Sequence, residues 1–97
     1  MSIFSFFKRK EQHSLFSAGS GDSFESAVVI NADDSFVGVQ AEYAYVAHQC
    51  GEPQRDWKIQ QQSLQGHDGK PYDVLVIAPS NGEVRTFYFN IEKFFGK

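Results

Sequence analysis

The sequence predicts an α+β domain: an antiparallel three- to four-stranded sheet with one main helix packed on one face and a short C-terminal helical turn. Three observations carry this. Tyr72 to Ile91 reads as two strands folded about Asn81-Gly82, the strongest short hairpin signal. Phe36, Val39, Tyr43, Val46, Ala47 and Cys50 recur at three- and four-residue steps, which makes an apolar helical stripe. Ala27 to Ile30 and Trp57 to Gln65 are further short runs bounded by turn-forming residues.

A chain of 97 residues makes one core. Its ten Phe and four Tyr supply much of the area to be buried. Residues 1–23 read as an aromatic-basic segment and linker, and 24–97 as the domain. The single Cys50 excludes an internal disulfide, which fits a reducing, cytoplasmic setting. No apolar run is long enough to cross a bilayer. The N-terminal apolar residues precede the cations, the reverse of a secretory signal. Net charge is plus two over residues 1–20, minus six over 21–56 and plus one over 57–97. An acidic middle argues against a nucleic-acid surface, since phosphate binding needs clustered Lys and Arg.

At the N-terminus, Ile3, Phe4 and Phe7 would share one helical stripe, with Lys8, Arg9 and Lys10 at the end that the helix dipole favours. So short a helix needs a surface, either the protein's own sheet or a membrane interface where the aromatics and the basic triplet act together. Glu11 to Ser23 is linker-like. Gly19-Ser20-Gly21-Asp22 lacks the preceding strand and following Lys of a phosphate loop and reads as a turn.

Ala27 to Ile30 is the first strand. Asn31 to Ser35 supplies cap chemistry, with Asp33 and Asp34 at the positive end of the helix. The helix runs from Phe36 or Gly38 to Gln49, with Gln40, Glu42 and Gln49 outside its apolar stripe. Gly51 and Pro53 end it.

Trp57 to Gln65 follows as a strand, and the Gln60-Gln61-Gln62 run suggests that it lies at an edge. Asp68-Gly69 offers a tight turn. A two-residue loop there sets Ile59 opposite Ala78, Gln61 opposite Val76 and Ser63 opposite Val74, which drops polar residues among apolar ones. A wider loop or a bulge would repair this, and the register stays open.

A type I′ turn at Asn81-Gly82 pairs Ala78 with Arg85, Val76 with Phe87, Val74 with Phe89 and Tyr72 with Ile91 on the core face. The reverse face then carries Leu75, Ile77, Val84 and Tyr88. Such a face is either shielded by the chain's own tails or used for binding. Asn90 can cap a last helical turn that carries Phe94 and Phe95 and ends at Gly96.

The order of helix and three strands, with Tyr72-Asp73-Val74-Leu75-Val76 and Phe87-Tyr88-Phe89-Asn90, resembles PepSY-type modules. That resemblance covers about the last sixty residues. It implies a helix across an antiparallel meander and a role in binding or inhibiting proteins, typically outside the cytoplasm. Gly21 to Ile30, Ala41-Glu42-Tyr43 and Phe94-Phe95-Gly96-Lys97 resemble a set of small bacterial proteins without assigned function.

No catalytic set is expected. His48 and Cys50 diverge on the helix, and His13, His48 and His67 lack metal-ligand spacing. Asp33 and Asp34 lack the further oxygen ligands of a calcium loop. No cofactor is implied. The expected function is a non-enzymatic interaction module that takes a protein partner or a second copy through Leu75, Ile77, Val84 and Tyr88. The alternatives are a peripheral membrane adaptor held by the N-terminal segment and, behind it, a small enzyme.

Overall fold

The computed structural model describes residues 15–17 and 19–97. Its elements are β1 (Val28–Val29), α1 (Ser35–Cys50), β2 (Trp57–His67), β3 (Lys70–Pro79) and β4 (Arg85–Asn90). The four strands form one sheet in the order β1-β4-β3-β2. The α+β class holds, and the strand count reaches four. The sheet is mixed, because β1 runs parallel to β4 while the other pairs are antiparallel. α1 carries the chain from the β1 edge to the β2 edge.

Asp34 starts α1 as the cap residue, its Oδ1 accepting from the Val37 N–H at 2.9 Å. Gly51 stops it with φ 103°, its N–H donating to the Ala47 carbonyl. The buried face differs from the predicted stripe. Gly38, Ala41, Glu42, Tyr45 and Val46 face the sheet, whereas Phe36 is exposed. Gly38 explains the rotation, since a Cβ there would run into the Phe94 ring; the missing side chain is what lets that ring seat against α1.

The β3–β4 hairpin also departs from expectation, by one residue. Leu75 pairs with Phe87, Asp73 with Phe89 and Ile77 with Arg85. Neither Asn81 nor Gly82 has the positive φ of a type I′ turn. Ser80 instead faces the loop after α1, its N–H donating to the Asp56 carbonyl at 2.8 Å and its hydroxyl to the Arg55 carbonyl at 2.7 Å. Phe87 and Phe89 still point inward and are fully buried. A one-residue slip exchanges the faces of β3. Leu75 and Ile77 therefore lie in the core with the two rings, and Val74 and Val76 turn to the reverse face.

At the β2–β3 turn, Asp68 and Gly69 have φ 53° and 76°, the pair of positive values that a two-residue hairpin loop uses. Gln61 opposes Val76 and Ser63 opposes Val74. The register then shifts between Gln61 and Ile59, so that Ile59 opposes Ile77 rather than Ala78. This bulge returns Ile59 and Trp57 to the core side and leaves Gln61 and Ser63 on the reverse face.

After Ile91 the chain makes hydrogen-bonded turns rather than a helix. Phe94 and Phe95 N–H groups donate to the Ile91 carbonyl at 3.1 and 2.9 Å, and Asn90 Oδ1 accepts from the Glu92 N–H at 3.0 Å. Phe94 is buried and Phe95 is half exposed, as two adjacent rings must be.

Candidate functional site: the open edge of the sheet

The two edges of the sheet are finished differently. Beyond β1, the Ser17 N–H donates to the Val29 carbonyl at 2.9 Å and the Asn31 N–H to the Leu15 carbonyl at 2.7 Å. Phe16 and Ile30 form a bridge there. The part of the predicted linker described here is thus built into the fold, with Leu15 and Phe16 packed on the core. Gly21, at φ 77°, accepts from the Tyr88 N–H at 2.8 Å and takes the β4 edge where β1 is too short to reach.

The same loop covers part of the reverse face. Phe24 stacks on His67 with ring centroids 4.2 Å apart and meets Tyr72 and Tyr88 edge-on at 5.0 and 4.8 Å. His67 Nε2 lies 3.5 Å from a Glu25 oxygen and 3.6 Å from an Asp68 oxygen. The predicted interaction face is thereby dispersed. Leu75 and Ile77 are core residues, Tyr88 is half-buried against Phe24, and exposed Val84 sits in the loop before β4.

β2 is the other edge, eleven residues long. Among the described residues, the one backbone hydrogen bond made to β2 from outside the β2–β3 ladder is at Trp57, whose carbonyl accepts from the Gln54 N–H at 2.8 Å. Beyond the bulge, Leu64 opposes Asp73 and so faces the helix side of the sheet, yet it is 58% exposed. α1 packs on β3, β4 and the Trp57 end of β2, and Leu64 lies outside that core cluster. Phe95, 50% exposed, comes up beside Leu64. Together with Gln65, Gly66, Gly69, Lys70 and Pro71 they line a shallow groove of about 400 Å³ whose surface is mostly apolar. A row of free N–H and C=O groups beside such a groove is what an added strand requires.

Among the described residues, the titratable groups do not converge on a reaction centre. Cys50 is half-buried, and an Arg85 guanidinium nitrogen lies 3.9 Å from its sulfur while the same group covers the Phe87 ring at 4.6 Å. His67 is at the other end of β3, roughly 20 Å away at about 3.3 Å per strand residue. His13 and the Ile3, Phe4, Phe7, Lys8, Arg9 and Lys10 segment lie outside the described residues. Asp34 is occupied as a cap. Among the described residues, no group of three or more His, Cys, Asp or Glu side chains is placed to hold a metal. No helix among them is long and apolar enough to cross a membrane.

Glu42, expected to lie outside the stripe, points into the interior toward Asp73. Burial first, and the Asp73 carboxyl second, push its pKa from 4.5 to about 10. Gln62 of β2 donates from Nε2 to both Asp73 oxygens, at 3.4 and 3.1 Å. A spacing of 38, 41, 42, 45 and 46 is as regular a helical face as the predicted one, but a Gly and a Glu hide it from a count of apolar residues.

No family model, curated protein or solved structure matches this chain.

Proposed function

We propose that this protein is a non-enzymatic interaction module that pairs with a second copy of itself along β2. The observation that carries the reading is the β2 edge, free beyond Trp57 among the described residues, with Leu64 and Phe95 exposed beside it. Natural sheets commonly protect such an edge with Lys, Pro or an overlying segment. From Gln61 to His67, β2 has no Lys, Arg, Asp, Glu or Pro.

The edge is also self-complementary. Antiparallel pairing about a two-fold axis at Leu64 sets Leu64 beside its copy, Gln62 opposite Gly66 and Gln61 opposite His67. No like charges meet. The two-fold stands perpendicular to the sheet, so both helices lie on one side and both Leu64–Phe95 patches meet there. Two four-stranded sheets become one. The core of the proposed contact is apolar and its rim is the glutamine run, the division that protein interfaces usually show.

Sedimentation over a range of protein concentrations tests the reading. We expect a concentration-dependent dimer in the wild type and at least tenfold weaker association in Leu64→Lys, a loss of about 1.4 kcal/mol or more. Circular dichroism should be unchanged in that variant, as should the unfolding midpoint at concentrations where both proteins are monomeric, because an exposed substitution typically shifts stability by no more than about 0.5 kcal/mol. A wild type that stays monomeric at the highest attainable concentration overturns the proposal.

A further inference from the structure

Glu42 and Asp73 face one another across the junction of α1 and β3, and they are 0% and 7% exposed. Among the described residues, neither Glu42 oxygen has a hydrogen-bond donor, although both are fully buried. Removing two carboxylates from water costs several kcal/mol for each ion, and a mutual repulsion would be added.

Among the described residues, no cation forms an ion pair with Glu42 or Asp73. On β4, Arg85 rests on Phe87 and approaches Cys50. Lys93 of the C-terminal turns donates to Asn31 at 2.8 Å. On α1 itself, the Tyr45 hydroxyl donates to the Gly19 carbonyl at 3.1 Å. β1 presents Val28, and β2 presents the uncharged Gln62, whose amide already serves Asp73.

A carboxyl group can supply its own missing donor. When protonated it carries one O–H, and a facing carboxylate accepts it. We propose that Glu42 and Asp73 hold a single proton between them, with Glu42 as donor, and that this proton fastens α1 to the sheet. Exposed Gln62 closes the pair from the solvent side, so proton exchange proceeds by its displacement. The inference does not depend on how β2 is used.

The sign of the linkage follows from a folded-state pKa near 10 against 4.5 for the free side chain. Between those values the folded chain keeps a proton that the unfolded chain has released. The stabilisation is complete below the lower value and declines as pH rises to the upper one, by about tenfold in the unfolding equilibrium per pH unit. Denaturant unfolding of wild type and Glu42→Gln across this range is the test. The amide of Glu42→Gln keeps an N–H donor for Asp73 without a titration. We expect the variant to lose that component of the pH slope and to be more stable than wild type at alkaline pH.

An unchanged slope in Glu42→Gln overturns the proposal. So does a rise in the wild-type midpoint on adding Ca²⁺ or Mg²⁺ at alkaline pH that Glu42→Gln lacks, which would make the pair a cation site. If the variant fails to fold, the infrared carboxylic-acid C=O band of the wild-type protein decides. Its presence at neutral pH and loss on alkalinisation support the shared proton, and its absence at neutral pH refutes it.

Discussion

The two edges of this sheet solve opposite problems. At the β1 edge a two-residue strand would leave β4 almost bare; Gly21 accepts from the Tyr88 N–H where β1 does not reach, and residues 15–17 hydrogen-bond to the outer side of β1. At the β2 edge a long, regular strand has its whole outer side free beyond Trp57 among the described residues. The first edge is short and closed by tertiary contacts; the second is long and held in place by its own tight turn and ladder. Exposed edges invite pairing with another chain, so the contrast locates where a partner strand can add and where it cannot.

The largest effect should come from the closed edge. Ile30 is fully buried, bridges Phe16 and donates its N–H to the Asn90 carbonyl at 3.0 Å. Ile30→Ala removes buried volume where β1, the 15–17 strap and β4 meet. It should cost about 2–5 kcal/mol in denaturant unfolding, well above the loss expected for any substitution at Leu64. A cost below about 1 kcal/mol would show that the strap is not part of the cooperative fold.

Next in size is removal of residues 1–17, which strips Leu15 and Phe16 from the core and uncovers β1. Burial of two partly covered apolar side chains is worth about 2–3 kcal/mol. The more telling readout is assembly. With both edges open, pairing no longer closes on itself, and a dimer should give way to open-ended oligomers visible by light scattering. A truncated chain with the oligomeric state of the wild type would remove the distinction between the edges.

How far the sequence reveals these edges depends on what kind of signal each feature leaves. Cap and turn chemistry is local and legible: Asp34, Gly51 and Asp68-Gly69 act as their residue types suggest. The glutamine run marks β2 as an edge, and the pairs Gln61–Val76 and Ser63–Val74 follow from the two-residue turn. Features decided by distant partners were not legible. Asn81-Gly82 promised a tight turn, but the loop 51–56 holds Ser80 and moves the register by one residue, which carried Leu75 and Ile77 from the supposed binding face into the core. The helix face is hidden in the sequence because it contains Gly38, vacant to receive Phe94, and Glu42, buried against Asp73. The β1 edge was illegible for a related reason: two apolar residues in a Ser- and Gly-rich stretch look like a linker until β1 is known to need a cover.

The smallest expected effect sharpens the account of how β2 is placed. At Gly69 a Cβ would meet no atom within 4 Å, so Gly69→Ala introduces no clash, and its cost is confined to holding an L-residue at φ 76°. That conformation costs about 1–2 kcal/mol, to be read as a shift in unfolding midpoint. If the turn fixes the register of β2, the variant should be weaker by this amount and keep both its fold and its self-association, since the residues from Gln61 to Leu64 are unaltered. A variant as stable as wild type would mean that the ladder with β3, with Trp57 and Ile59 anchored in the core, sets the register without help from the turn. The open edge would then be secured from its far end, by the same kind of tertiary burial that closes the edge opposite.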